Sequence, residues 1–198
     1  MHLFPDKPMA RNYKTKEAAV VAAVKEAYPA LEWVFDKTVE GGCSKRRPDI
    51  RLDLGAIVLV IEIDENQHKQ YTCSCENKRL MQLSQDVGHR PMVFLRFNPD
   101  DYIAQNGKNV PSCWGPNGTG VMAIKKSKQT EWTMRLDMLL AQMAYWIEHG
   151  TDKMVEVVQL YYDQVFYDDE DSDEDSDEDS DEDSDEDGDE DSGNICDI

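Results

Sequence analysis

The sequence predicts a single α/β domain, with a sheet flanked by helices, followed by an acidic disordered tail. The run Ala56–Ile63 is almost entirely apolar and β-branched, which is typical of a strand buried on both faces. The segment Thr130–His149 repeats its large apolar residues at helical spacing, which indicates an amphipathic helix. From Asp168 to the end the chain has twenty acidic residues and no lysine or arginine, so this part cannot bury a core.

The first half of the domain is predicted to form a helix and three consecutive strands. Valines and alanines make a narrow apolar stripe along the first segment, and Pro29 ends the helix. Aromatic residues at alternate positions indicate a half-buried strand, and Gly55 marks the turn between the last two strands. The four segments are Lys16–Tyr28, Leu31–Val39, Asp49–Leu54 and Ala56–Ile63.

The second half alternates helices with strands. Gly88 suits the end of the second helix, and the segment Asn106–Gly120 is rich in glycine, proline and asparagine, which predicts a loop. The order is an α-β-β-β-α-β core followed by a C-terminal helix and strand, with the first three strands as a meander. The four later segments are Cys75–Val87, Pro91–Phe97, Thr130–His149 and Met154–Tyr162.

The tail carries the whole excess of negative charge. The chain has 21 Lys and Arg against 41 Asp and Glu, a formal net charge of −20. Twenty of these acids lie in the tail, so 21 acids face 21 bases in the rest, and the domain itself can meet a polyanion. We therefore expect a folded domain over 1–166 and a disordered tail of Asp-Ser-Asp-Glu repeats over 167–198.

Three roles for the tail remain open at this point. A charge run of this kind is most often solubilising, but it also suits binding to basic proteins such as histones. A third role is to mimic nucleic acid and compete for a basic groove on the domain. Serines that precede Asp-Glu-Asp suit acidophilic kinases, and phosphorylation would add further negative charge.

Composition also bears on location. No run of about 18 apolar residues is present, so we expect no membrane partner. Met1–Asn12 lacks the apolar stretch of a secretory signal, and five cysteines without a disulfide pattern favour a reducing compartment. We expect an intracellular protein of the nucleus or cytoplasm, or a viral protein in a eukaryotic host.

Carboxylates on two neighbouring predicted strands are the main chemical signal. Asp49 opens the second strand, while Glu62 and Asp64 share one face of the third at about 6.6 Å spacing. Carboxylates that converge on an otherwise apolar sheet are costly unless a positive charge neutralises them. Hard oxygen ligands of this kind suit Mg²⁺, or Mn²⁺ in its place.

The pattern resembles a known nuclease superfamily. Pro48-Asp49, twelve intervening residues and then Glu62-x-Asp64 are similar to the PD-(D/E)xK motif. The continuation to His68 resembles the branch around very-short-patch mismatch-repair endonucleases. The resemblance implies a restriction-endonuclease-like fold, in which a mixed sheet is flanked by helices.

The resemblance also implies roles for these residues. Asp49, Glu62 and the backbone carbonyl of Ile63 would hold one metal ion, which activates a water for attack on a phosphodiester. Asp64 stands where the family has lysine, so it would hold a second metal or accept a proton.

Two neighbours of this motif complete the candidate catalytic set. His68 would act as a general acid or base near neutral pH, and His68 or Lys69 would supply the positive charge that Asp64 lacks. Gln67 would orient the water or ligate the metal through its carbonyl.

Basic residues surround the motif in sequence, as a phosphate-binding groove requires. The candidates for contact with nucleic acid are Arg46, Arg47, Arg51, Lys69, Lys78, Arg79 and Arg96. Zinc is a less favoured alternative cofactor, because His68, Cys73 and Cys75 form a His-x4-Cys-x-Cys pattern without a Cys-x2-Cys pair.

The function we expect from the sequence is metal-dependent hydrolysis of phosphodiester bonds in DNA by an endonuclease. The alternative is a catalytically silent nuclease-fold module that binds nucleic acid or basic proteins such as histones. A third possibility is a histone-binding protein led by its acidic tail. The pattern does not distinguish DNA from RNA as the substrate.

Overall fold

A computed structural model describes residues 14–68 and 73–164, without the side chains of residues 68 and 73–75. The tail predicted at 167–198 and Lys69 lie outside the described residues. The helices are α1 (Thr15–Ala27), α2 (Cys73–Asp86) and α3 (Gln129–His149). The strands are β1 (Trp33–Phe35), β2 (Ile50–Asp53), β3 (Val58–Ile63), β4 (Met92–Phe97), β5 (Tyr102–Ile103), β6 (Asn109–Val110), β7 (Trp114–Pro116), β8 (Met122–Ile124) and β9 (Val155–Leu160).

The centre of the fold is a mixed sheet of five strands in the order β1-β2-β3-β4-β9. Strands β1, β2 and β3 are antiparallel, which confirms the predicted meander. Strands β3, β4 and β9 are parallel, because the α2 and α3 crossovers return the chain to the same end of the sheet. The α/β class and the order of the main elements are therefore confirmed.

The two faces of the sheet pack against different helices. Alternate residues of a strand point to opposite faces, so Leu59 and Ile61 join the core under α1 and α3, whereas Val58 and Val60 pack against α2. The same alternation places Glu62 and Asp64 toward the α2 face. The face that carries α2 therefore holds the candidate site.

Helix α3 is the longest helix, with 21 residues, and it buries Trp132, Leu139 and Met143 in the core under the sheet. Its opposite side carries exposed Met134 and Met138. No helix in the described ranges is long and apolar enough to cross a membrane.

Two local predictions differ from the structure. The predicted strand Leu31–Val39 is reduced to β1, because Asp36 adopts a positive φ of 46° and turns the chain out of the sheet. The predicted loop Asn106–Gly120 contributes β6 and β7 to two small hairpins, β5–β6 and β7–β8. Its residue Trp114 is buried against Trp132 of α3, with ring centroids 5.2 Å apart.

Candidate functional site

Asp49 and Glu62 lie next to each other at one end of the β2–β3 pair. The register ends with Ile50 paired with Ile61, Asp49 directly precedes β2, and Glu62 directly follows Ile61 in β3. The backbone amide of Ile63 donates a hydrogen bond of 2.8 Å to Asp49 Oδ2, which fixes this carboxylate beside the end of β3.

Glu62 is buried and is held by an arginine of α2. Its Oε1 accepts a hydrogen bond of 2.6 Å from Arg79 Nη2, and only 4 % of the residue is exposed. Arg79 Nη2 also donates to the backbone carbonyl of Arg47 at 3.1 Å. Arg79 therefore joins α2 both to β3 and to the segment that leads into Asp49.

Asp64 is enclosed by a second set of partners. Arg96 Nε of β4 and the Tyr162 hydroxyl both donate to Asp64 Oδ2. The remaining guanidinium nitrogens of Arg96 donate to the two carboxylate oxygens of Glu76, at 2.9 and 2.6 Å. Asp64 is 1 % exposed, so its carboxylate is enclosed and holds the Arg96 side chain in place.

Burial dominates the electrostatics of Glu62 and Asp49. It raises the pKa of Glu62 to about 8, although the charge of Arg79 acts to lower it and the charge of Asp49 raises it further. Burial also raises the pKa of Asp49 to about 6, against the lowering effect of its bond from Ile63. Ionisation of either carboxyl group without an added positive charge therefore costs free energy.

The charges around this pair do not balance. The carboxylate cluster consists of Asp49, Glu62, Asp64, Glu76, Arg79 and Arg96. Four acids and two bases leave a formal charge of −2 when all six side chains are ionised. Buried charge of one sign is costly, so the cluster favours either bound protons or a divalent cation.

All members of the carboxylate cluster except Asp49 line a cleft of about 370 Å³ between α2 and strands β3, β4 and β9. Leu80, Phe94 and Val157 form its apolar part, and the amides of Asn77 and Gln159 add further polar groups to the lining. Such a mixture of apolar walls and a few polar groups is typical of a small binding site. The cleft opens beside β9, which is an edge strand of the sheet.

Comparison with known proteins gives no match. No family model, no curated protein and no solved structure matches the chain. The PD-(D/E)xK resemblance therefore rests on the motif, and function has to be argued from the geometry.

Gln67 does not point its amide at the carboxylate cluster. Its Nε2 donates to Asp163 Oδ1 at 2.8 Å and to the carbonyl of Asp101 at 3.2 Å, and its Oε1 accepts from the Asp163 amide at 2.9 Å. Asn66 and Gln67 have positive φ values of 56° and 54°, which are strained for residues other than glycine. Gln67 therefore holds a strained turn against the segment after β9, and the backbone of His68 ends that turn.

The basic residues predicted to contact nucleic acid lie in several different places. Arg79 and Arg96 contact carboxylates of the cluster, and burial of Arg96 does not suit contact with nucleic acid. Arg46 donates from Nε to Gln82 of α2 at 2.8 Å. Arg47 and Arg51 line a separate cavity beside β1 and β2, and Lys78 is exposed on α2. Lys69 lies outside the described residues.

Metal ligation was also predicted. Among the described residues no group of three His, Cys, Asp or Glu side chains is arranged to hold a metal ion. The side chains of the zinc candidates His68, Cys73 and Cys75 lie outside the described part. Of the other cysteines, Cys43 is exposed and Cys113 is buried, and both are free thiols.

The sequence did not single out Glu76 and Tyr162 as members of the site. A lone glutamate on an amphipathic helix is usually solvated, so Glu76 gave no signal of its own. Glu76 and Arg79 do lie three residues apart, a spacing that puts both on one side of a helix. Tyr162 was predicted only as the last residue of a strand, and its contact with Asp64 joins positions 98 residues apart.

Proposed function

We propose that the domain is a metal-dependent nuclease that hydrolyses phosphodiester bonds in DNA, with a restriction-endonuclease-like fold of the PD-(D/E)xK kind. The observation that carries the proposal is the placement of Asp49 beside Glu62, fixed by the hydrogen bond from the Ile63 amide to Asp49 Oδ2. Neighbouring carboxylates in the spacing of the motif, one buried and one half-buried, are what a metal-dependent phosphodiesterase requires. The mixed sheet with α2 packed on it is consistent with that fold.

The residues present fit a divalent cation of the Mg²⁺ or Mn²⁺ type. One oxygen of Asp49 accepts from Ile63 and one oxygen of Glu62 accepts from Arg79, so each carboxylate keeps a second oxygen for ligation. Those oxygens, with the Ile63 backbone carbonyl, would supply the hard oxygen ligands that such an ion prefers. The formal −2 charge of the carboxylate cluster matches the charge of one such ion.

The protein side of the reaction follows from these contacts. A bound divalent cation would lower the pKa of a water and offset charge on the phosphate. Asp49 and Glu62 would supply its ligands and lose their protons as it binds. Arg79 holds the orientation of Glu62 and brings a positive charge beside the pair. Arg96, through Asp64, fixes the end of β3 from which Ile63 projects.

The departure at position 64 changes the source of positive charge. The resemblance expects a lysine where this chain has Asp64. Arg79 of α2 instead brings a positive charge to Glu62, and Arg96 of β4 pairs with Asp64 itself. Arginines of α2 and β4 therefore take the place of the expected lysine as positive charges, which supports an active site in which Asp64 fixes the end of β3.

A second candidate function is a catalytically silent module that binds nucleic acid or basic proteins. The specific observation in its favour is that Glu62 and Asp64 each already pair with an arginine. In a silent module these ion pairs are only structural, and no cation enters the site.

A cleavage assay separates the two candidates. Single-stranded, duplex and mismatched DNA are incubated with the full chain in Mg²⁺, in Mn²⁺ and in EDTA. The nuclease proposal expects products with the metals and none in EDTA, while binding persists in EDTA. Binding without products under every metal supports the silent module.

A further inference from the structure

A second cavity lies on the same face of the sheet as the carboxylate cluster. It has a volume of about 580 Å³ and is called the anion pocket below. Arg51 of β2 pairs in register with Val34 of β1 and Val60 of β3, and Val60 packs toward α2. The pocket is lined by Val34, Asp36, Lys37, Thr38, Glu40, Arg47 and Arg51.

The charge of the anion pocket is the opposite of that in the carboxylate cluster. Asp36 is neutralised by two cations, Lys14 at 3.2 Å and Arg47 at 3.1 Å. The charges that remain on the lining are Lys37 and Arg51, opposed only by Glu40. The pocket therefore carries a net positive charge that is open to an anion.

Arg51 is the residue that most needs a partner. In the part of the chain that the structure describes, its side chain makes no hydrogen bond and no ion pair, and its Nε is buried without an acceptor. Leaving such a donor without an acceptor costs free energy. By contrast, Arg47 donates twice to the carbonyl of Asp36, at 3.0 and 2.6 Å. An anion oxygen beside the Arg51 guanidinium would offset the missing interaction.

The position of Arg51 relates the pocket to the carboxylate pair. Arg51 lies in β2 and Asp49 directly precedes this strand, so their Cα atoms are at most about 7 Å apart. A cation site and an anion pocket at this separation suit neighbouring phosphates of one nucleic-acid strand.

We infer that the anion pocket binds a backbone phosphate of a nucleic-acid strand, next to the phosphate that reaches Asp49 and Glu62. The placement relative to the second phosphate rests on the proposed function, whereas anion binding at Arg51 does not. A guanidinium suits phosphate because its planar fork donates two parallel hydrogen bonds. No aromatic ring lines the pocket, so it offers no platform for a base and fits backbone contact without sequence readout.

The test is the salt dependence of binding in EDTA, where no cleavage can occur. A fluorescent single-stranded oligonucleotide is titrated with the full chain and with Arg51→Gln across a range of salt concentrations. Loss of one phosphate contact should reduce the slope of log K against log salt by about 0.7. Lys153→Gln is the charge-matched control, because Lys153 is exposed and directly precedes the region of β9, which lies three strands from β2 in the sheet. Its slope should equal that of the parent.

Further arms keep the test decisive. Arg51→Lys retains the charge, so it should keep the slope while it weakens binding, and it replaces Arg51→Gln if that variant fails to fold. Equal slopes for the parent, Arg51→Gln and Arg51→Lys, with equal affinities, overturn the inference. Competition by inorganic phosphate that depends on Arg51, without any change in the oligonucleotide slope, would indicate a small-anion site and also overturns it.

The same experiment separates this inference from the proposed function. An altered slope in an otherwise inactive protein leaves the anion pocket supported and the nuclease proposal rejected. Metal-dependent cleavage with an unaltered slope would support the nuclease proposal and reject phosphate binding in the anion pocket.

Discussion

Asp49 and Glu62 lie next to each other, because Asp49 Oδ2 accepts a hydrogen bond of 2.8 Å from the backbone amide of Ile63, the residue that follows Glu62. The two side chains come from positions thirteen residues apart, so one hairpin is enough to bring them together. The pKa of each carboxyl is raised, because burial penalises a bare negative charge. A pair that is costly in its ionised form is well suited to bind a cation.

The first prediction concerns stability against pH. The folded-state pKa of Glu62, about 8, and that of Asp49, about 6, lie above the unfolded values of 4.5 and 3.8. Between the unfolded-state and folded-state pKa values, the folded state binds more protons than the unfolded state. The contribution of the two carboxyl groups to folding stability is therefore fully present at low pH and is lost as the pH rises toward 8. In EDTA the melting temperature should fall from pH 5.5 to pH 8, and the fall should be smaller in Glu62→Gln.

The same measurement tests metal binding. Mg²⁺ or Mn²⁺ should raise the melting temperature more at pH 8 than at pH 5.5, because the ion competes with the protons on Asp49 and Glu62. Asp152→Asn is a matched control, since Asp152 is an exposed carboxylate. A metal-induced shift that is absent at every pH, or identical in Asp49→Asn, would count against the cation site.

The second prediction concerns Asp64. Asp64→Lys would place a positive charge against Arg96 in a buried position, so the free energy of unfolding should fall by at least 3–5 kcal/mol, roughly the cost of breaking a buried ion pair. Chemical denaturation measures this loss. Glu76→Gln is the milder comparison, because Glu76 is partly exposed and Arg96 keeps Asp64 as a partner. An Asp64→Lys variant as stable as its parent would show that Asp64 is not an anchor.

The third prediction concerns Gln67 and the turn that it holds. Gln67→Glu would bring a carboxylate against the Asp163 carboxylate, which now accepts a hydrogen bond from Gln67 at 2.8 Å. Gln67→Ala removes the contacts and should cost about 1–3 kcal/mol in chemical denaturation, and Gln67→Glu should cost more near neutral pH. The difference between the two variants should shrink in acid, because the introduced glutamate then loses its negative charge. Equal losses at all pH values would contradict this arrangement.

The fourth prediction concerns the tail. Removal of residues 167–198 takes away twenty acids and brings the formal net charge from −20 to zero. Nucleic-acid binding in EDTA should therefore become tighter at low salt, and the gain should shrink as salt screens the charges. Equal affinities with and without the tail at low salt would rule out any influence of the tail on binding.

The main elements were predictable from local sequence. Buried strands such as β3 and β4 are apolar except for Glu62 and Arg96, and α3 shows a clear helical repeat, so each pattern has one interpretation. The hairpin strands β5–β8 have only two or three residues each, too few to show a period. The β7–β8 hairpin depends instead on burial of Trp114 against α3, a contact between distant parts of the chain.

Only the part of the candidate site that lies close together in the sequence was predictable. Asp49, Glu62 and Asp64 lie within sixteen residues, and strand alternation relates them directly. The partners of these acids come from α2, β4 and the segment after β9, whose packing is not encoded locally. Arg96 was therefore expected at a nucleic-acid surface, whereas the structure buries it between Asp64 and Glu76.

The most direct test of the account is cleavage of DNA by the parent chain and by Glu62→Gln under Mg²⁺ and Mn²⁺. The neutral amide keeps the shape of Glu62 but weakens metal ligation, so it should abolish cleavage, while the exposed control Asp152→Asn should cut like the parent. Circular dichroism of both variants verifies that the fold is intact. A Glu62→Gln variant that cuts as well as the parent contradicts the account, and so does a parent that is inactive with every metal.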